Sequence, residues 1–121
     1  MKVRIKGNFI RYRLTKSEVE KISNEGLLEE QTHFGSNAVF SYALKRKEGI
    51  SNLEADYKEN KITIYMPATD ADVWFKNNKV GYRTTVPVSG DTILVLLIEK
   101  DFQCLDEVEE DQSDNYPNPQ A

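Results

Sequence analysis

A chain of 121 residues, 39% hydrophobic and 30% charged with a formal net charge of −4, has the size and composition of one folded domain. It is too short for a multidomain enzyme and, with 6 Gly and 4 Pro, too varied for a collagenous or low-complexity chain.

The start, Met1 to Lys6, alternates charged and apolar side chains and lacks the apolar stretch of a secretory signal. The longest apolar run, Ile93 to Ile98, is far short of the roughly 20 residues that span a bilayer. A cytoplasmic location and no membrane partner are expected. Cys104 is the single cysteine, so no intrachain disulfide is possible, and His33 is the single histidine.

Val3 and Ile5 are odd-numbered, whereas Ile10, Tyr12 and Leu14 are even-numbered. A two-residue turn at Gly7-Asn8 explains the flip by setting Ile5 opposite Ile10 and Val3 opposite Tyr12; a bulge at Gly7 within one strand is the alternative. The other face then collects Lys2, Arg4, Lys6, Arg11 and Arg13. Thr15-Lys16-Ser17-Glu18 reads as a capping box flanked by a Leu14–Val19 staple, opening a helix of about ten residues that Gly26 ends.

Leu28 to Phe34 reads as a strand leading through a Gly35-Ser36-Asn37 turn into a half-buried strand on which Ala38, Phe40, Tyr42 and Leu44 alternate. A second parity flip, from Leu53, Ala55 and Tyr57 to Ile62, Ile64 and Met66, predicts a hairpin turning at Glu59-Asn60. Thr69-Asp70-Ala71-Asp72 reads as the cap of a short helix through Phe75. Val80 to Val88 is extended, Ser89-Gly90-Asp91 turns, and Ile93 to Ile98 reads as a central strand buried on both faces. No internal repeat is visible. The expected fold is α+β, a mostly antiparallel, curved sheet of about seven strands with two short helices. The domain is expected to span 1–105, with 106–121 an acidic tail that is disordered or docked on the body.

Lys2-Val3-Arg4-Ile5-Lys6-Gly7-Asn8, Thr32-His33-Phe34-Gly35, Glu99-Lys100-Asp101-Phe102-Gln103-Cys104-Leu105 and Pro117-Asn118-Pro119 together resemble a family of small, uncharacterised bacterial proteins of about this length. The resemblance implies a stand-alone cytosolic domain and carries no activity, substrate or partner.

The sharpest chemical feature is the basic ribbon: Lys2, Arg4, Lys6, Arg11, Arg13 and Lys16, with no acidic residue among the first sixteen. Closely set cations release counterions on binding a polyanion, and Arg forks match phosphate or carboxylate. An anion-binding face of Lys2, Arg4, Lys6, Arg11 and Arg13 is therefore expected, its partner an acidic protein, a nucleic acid or a phosphorylated ligand. A solvated or internally paired face is the plain alternative. Without residues 101–121, thirteen acidic side chains remain against sixteen basic ones, a net of +3, so the tail is expected to lie transiently over the ribbon.

Glu54, Asp56 and Lys58 alternate on one strand and weakly resemble the E-x-E-x-K strand of tunnel-type triphosphate hydrolases, in which carboxylates hold a divalent metal. Asp at the second acidic position and the mid-chain location depart from that pattern. This enzymatic alternative, a metal-dependent phosphohydrolase, assigns Glu54 and Asp56 to a divalent ion and the N-terminal Lys and Arg residues to phosphate. A third reading is a homo-oligomeric or structural unit pairing through an exposed strand edge. His33 with Cys104 lacks metal-ligand spacing, no cofactor is implied, and phosphate-cradling and zinc-helix motifs are absent. Trp74 is expected to anchor its helix in the core.

Overall fold

A computed structural model describes residues 1–102 and 113–117. The chain runs β1 (Lys2–Lys6), β2 (Phe9–Leu14), α1 (Lys16–Glu25), β3 (Leu27–Gly35), β4 (Ala38–Lys47), β5 (Glu54–Lys58), β6 (Lys61–Pro67), α2 (Ala68–Trp74), β7 (Gly81–Ser89) and β8 (Thr92–Lys100).

The strands form two four-stranded sheets, β1-β2-β8-β7 and β3-β4-β6-β5, in place of one sheet of seven. Each is built from two antiparallel hairpins joined by a parallel central pair, β2 with β8 and β4 with β6. Parity locates hairpins correctly but says nothing about which hairpins share a sheet. The inner faces of both sheets contribute to one core, with Tyr12, Leu14, Leu96 and Ile98 from the first and Leu44, Ile62, Ile64 and Met66 from the second. Val19 and Ile22 of α1 and Ala71 and Trp74 of α2 complete it, and the two helices pack on each other.

Both predicted hairpins form. In the first, Ile5 faces Ile10 and Val3 faces Tyr12, with Gly7 at φ 55° supplying the left-handed turn residue. In the second, Tyr57 faces Ile62 and Ala55 faces Ile64 across a turn whose Glu59 and Asn60 both have positive φ. α1 opens with the Thr15–Glu18 capping box, the Thr15 N–H donating to Glu18 Oε1 at 2.9 Å, and closes on Gly26 at φ 77°. α2 departs from expectation. Its N-cap is Pro67, without a side-chain cap bond, and Thr69 lies inside the helix. β8 is central as expected, but only one face is buried: Leu96 and Ile98 point into the core while Ile93 is 49% exposed. An unbroken apolar run cannot reveal that its second face is half open.

The topology contains a duplication that the sequence hides. The unit β1-β2-α1-β3-β4 is repeated as β5-β6-α2-β7-β8, with residues shifted by 52 through the helix and by 54 in the second hairpin. The register obeys this shift: Phe9 beside Val95 in the first sheet becomes Lys61 beside Ser41 in the second, and Leu14 beside Lys100 becomes Met66 beside Arg46. Hydrogen bonds repeat as well. The Arg46 N–H donates to the Gly26 carbonyl at 2.9 Å and the Lys100 N–H to the Val80 carbonyl at 2.8 Å; likewise Ser41 to Asn60 at 3.0 Å and Val95 to Asn8 at 2.9 Å. The pairs Tyr12/Ile64, Leu14/Met66, Val19/Ala71, Ile22/Trp74 and Leu44/Ile98 are fully buried on both sides of the repeat. Only apolarity is shared within most of these pairs, so no repeat is legible as residue identity.

Candidate anion-binding face

Because Val3, Ile10 and Tyr12 belong to the core, the alternating residues of the first hairpin project from the outer face of the first sheet. Lys2, Arg4, Lys6, Arg11 and Arg13 share that face in three cross-strand rows. One runs Arg4, Arg11, Leu97, Arg83; a second runs Lys6, Phe9, Val95, Thr85; the third runs Lys2, Arg13, Glu99, Gly81. Arg83 of β7 was missed in the sequence. Its signal is the alternation with Tyr82, Thr84 and Val86, which lean toward the core.

Glu99 is the one acidic side chain in these rows. Its Oε1 lies 2.9 Å from Arg13 Nε and 3.5 Å from Arg11 Nε, and Asp101, just beyond β8, lies 3.1 Å from Lys2 Nζ. Arg11 Nε is buried and makes no hydrogen bond. Among the described residues, Arg4, Lys6 and Arg83 form no ion pair, and Arg4 and Arg83 are exposed. A hollow of about 190 Å³ opens between Lys2, Val3, Arg4, Arg11 and Arg13. The centre of the face is apolar, with Phe9, Val95 and Leu97 half-buried.

The duplication supplies an internal comparison. The positions of Lys2, Arg4 and Arg83 are occupied in the second sheet by Glu54, Asp56 and Glu29, and that of Glu99 by Lys45. The Lys2–Asp101 bridge recurs as the Glu54–Lys47 bridge at 3.0 Å with its signs exchanged. Cations at these positions are therefore no requirement of the scaffold.

Glu54 and Asp56 thus stand on the outer face opposite the basic ribbon and do not meet it. Glu54 pairs with Lys47, and Asp56 accepts the Tyr65 hydroxyl at 2.8 Å, which raises the Tyr65 phenol above its usual value, chiefly through that bond. Lys61 pairs with Glu29 at 2.9 Å, raising its ammonium likewise. No group of three His, Cys, Asp or Glu side chains able to hold a metal occurs among the described residues. His33 is exposed on β3, and Cys104 lies outside the described residues. Trp74 is fully buried, its Nε1–H donating to the Lys79 carbonyl at 2.8 Å and its ring edge-on to Tyr82.

Most of the expected acidic tail also lies outside the described residues. The described piece, 113–117, packs at the start of α1: the Asp114 carbonyl accepts the Lys16 N–H at 3.0 Å, and its carboxylate accepts the Ser17 N–H and hydroxyl. The Tyr116 N–H donates to the Asp101 carbonyl at 2.9 Å, and its ring lies 5.6 Å from that of Phe102. Asp114 and Asn115 thereby border a polar hollow shared with Lys2, Arg13 and Asp101. No helix among the described residues is long and apolar enough to cross a membrane.

The model of a family of unknown function (DUF7009) matches residues 1–120, and the chain belongs to that family. No curated protein and no solved structure matches it.

Proposed function

We propose that this member of the family is a non-enzymatic binding module that takes a polyanionic partner on the outer face of its first sheet. The observation that carries the reading is the sign exchange between the two halves. On one scaffold repeated twice, the first sheet gathers Lys2, Arg4, Lys6, Arg11, Arg13 and Arg83 against Glu99, whereas the second places acids and bases in near balance. A face needed only for solubility does well with interspersed signs, as on the second sheet. Concentrating one sign on a flat surface costs self-repulsion and supports the capture of opposite charge.

In this reading 1–105 is the binding domain and 106–121 an acidic appendage whose carboxylates compete for the same cations. The test is binding of inorganic polyphosphate at 50 mM and 200 mM salt by the intact chain, by Arg4→Glu/Arg83→Glu and by Lys45→Glu/Lys58→Glu. Tight, salt-sensitive binding that the first pair abolishes and the second leaves within about twofold is expected. Absence of binding at low salt, or equal losses from the two pairs, overturns the reading.

A further inference from the structure

We infer that the polyanion is a single-stranded nucleic acid, an inference that rests on the reading above. Three features of the face select it. Its cationic rows repeat along the strands about every 6.8 Å, the distance between alternate residues of a β-strand, over roughly 14 Å from the Lys2 row to the Lys6 row. An extended backbone lying along β1 and β2 meets a cation at each step. Second, the rows enclose an apolar strip, Phe9 and Val95 side by side with Leu97 in the next row. Exposed bases have flat apolar faces to lay on such a strip, and base–aromatic stacking tolerates any sequence. Duplexes turn their bases inward and leave Phe9 without a role.

Third, four of the six cations are Arg: Arg4, Arg11, Arg13 and Arg83. A guanidinium both forks a phosphate and stacks on a base, whereas a lysine ammonium acts as a point charge. Arg4 and Arg83, exposed at the two ends of the middle row and free of ion pairs among the described residues, are the guanidinium groups open to a phosphate passing over the strip. The corresponding centre of the second sheet holds Lys61, Ser41 and Ala43 where the first has Phe9, Val95 and Leu97, so its middle lacks the apolar strip; the phenol ring on that face, Tyr65, stands in the end row with the Lys47 ammonium over it at 4.9 Å. An acidic peptide would satisfy the cations and leave the aromatic ring unused.

The experiment is fluorescence anisotropy of the intact chain with labelled twelve-nucleotide thymidine and uridine strands. A duplex of the same length, inorganic polyphosphate and a poly-glutamate peptide serve as competitors. Phe9→Ala and Phe9→Tyr are compared with the unaltered chain, and their thermal midpoints are recorded. The inference expects single strands to bind at least about tenfold tighter than duplex. It expects Phe9→Ala to weaken strand binding about tenfold or more with a much smaller effect on polyphosphate, and Phe9→Tyr, which keeps the ring, to restore it. Equal binding of strand, duplex and polyphosphate, with Phe9→Ala moving none selectively, overturns the inference and leaves the polyanion reading standing. Displacement of the strand by poly-glutamate at equal or lower charge concentration overturns it in favour of an acidic protein. No binding of any polyanion overturns both.

Discussion

The Tyr12 hydroxyl donates a hydrogen bond across the core to the Ile62 carbonyl 3.3 Å away, tying β2 of the first sheet to β6 of the second. Its counterpart in the repeat, Ile64, has no hydroxyl, so the tie exists in one direction only. Burial drives the Tyr12 phenol far above its usual value, because an ionised phenolate has no solvent there. Tyr12→Phe is expected to lower unfolding stability by about 1 kcal/mol, read from the urea midpoint at an unchanged slope. In a spectrophotometric alkaline titration, Tyr12 should ionise only as the fold is lost, and an early tyrosine lost in Tyr12→Phe would contradict this geometry.

Gly81 opens β7 directly opposite Glu99, and a Cβ there would stand 2.2 Å from the Ile98 carbonyl oxygen and 2.9 Å from Glu99 Cβ. The first neighbour is backbone and cannot rotate away. Gly81→Ala should therefore destabilise by about 1–3 kcal/mol, as overpacking does, and displace Glu99 from the arginines it holds. Gly35→Ala, at a position with nothing within 4 Å of the added carbon, is the control and should fall within about 0.5 kcal/mol of the unaltered chain. Comparable losses from both would mean that the close approach of β7 and β8 is not what fixes this glycine.

Asp114 holds the 113–117 segment on α1 through the Ser17 side chain and backbone, and the Ser17 and Thr15 hydroxyls hold its carboxyl below the usual 3.8. A carboxyl depressed in the folded state contributes docking free energy that is fully present above 3.8 and is lost as pH falls through its folded value. Docking followed by the Ser17 amide resonance should persist at pH 5 and collapse only below 3.8. Asp114→Asn should shift that resonance at pH 7 and remove the acidic transition while leaving the body folded. A resonance insensitive to the substitution would place the segment elsewhere in solution.

These elements separate what local sequence records from what it does not. Ile5–Ile10 and Tyr57–Ile62 were legible because a turn reverses side-chain parity, and a parity flip fixes register to the residue. The α1 termini were legible because Thr15, Glu18 and Gly26 satisfy orphan backbone groups by their own chemistry. The partition into two sheets was not, since β2 joins β8 and β4 joins β6 through parallel contacts far apart in sequence that leave no periodic trace. The duplication is hidden for a related reason: Ile22 and Trp74 occupy the same place with nothing in common but burial, and Arg4 and Asp56 with opposite charge. Of the basic face, the ribbon was legible because its cations are contiguous, whereas Arg83 and the Phe9, Val95 and Leu97 strip required the sheet order.

Lys100 occupies the place that Arg46 holds in the first half, yet the two meet opposite surroundings. Arg46 forks Asp72 at 2.9 and 3.1 Å on the surface, while Lys100 is 5% exposed, donates to the Asn77 carbonyl at 2.7 Å, and lies near the Trp74 and Tyr116 rings at 5.9 and 5.2 Å. With no carboxylate beside it among the described contacts, burial lowers its ammonium below the usual 10.5. Between that lowered value and 10.5 the unfolded chain holds more protons than the folded one, so this group makes stability rise with pH through that window. Lys100→Met removes both the desolvated charge and the bond to Asn77. At pH 7 these oppose each other, and the net change is expected to stay within about 1 kcal/mol. Urea midpoints at pH 7, 9 and 10.5 test the assignment: the raised phenols, Tyr12 and Tyr65 among them, pull stability down with pH in both chains, and Lys100→Met should fall more steeply than the unaltered chain because it lacks the opposing group. If the two chains fall in parallel, Lys100 does not titrate differently on folding, and the rings around it hold a charge whose burial costs less than its surroundings imply.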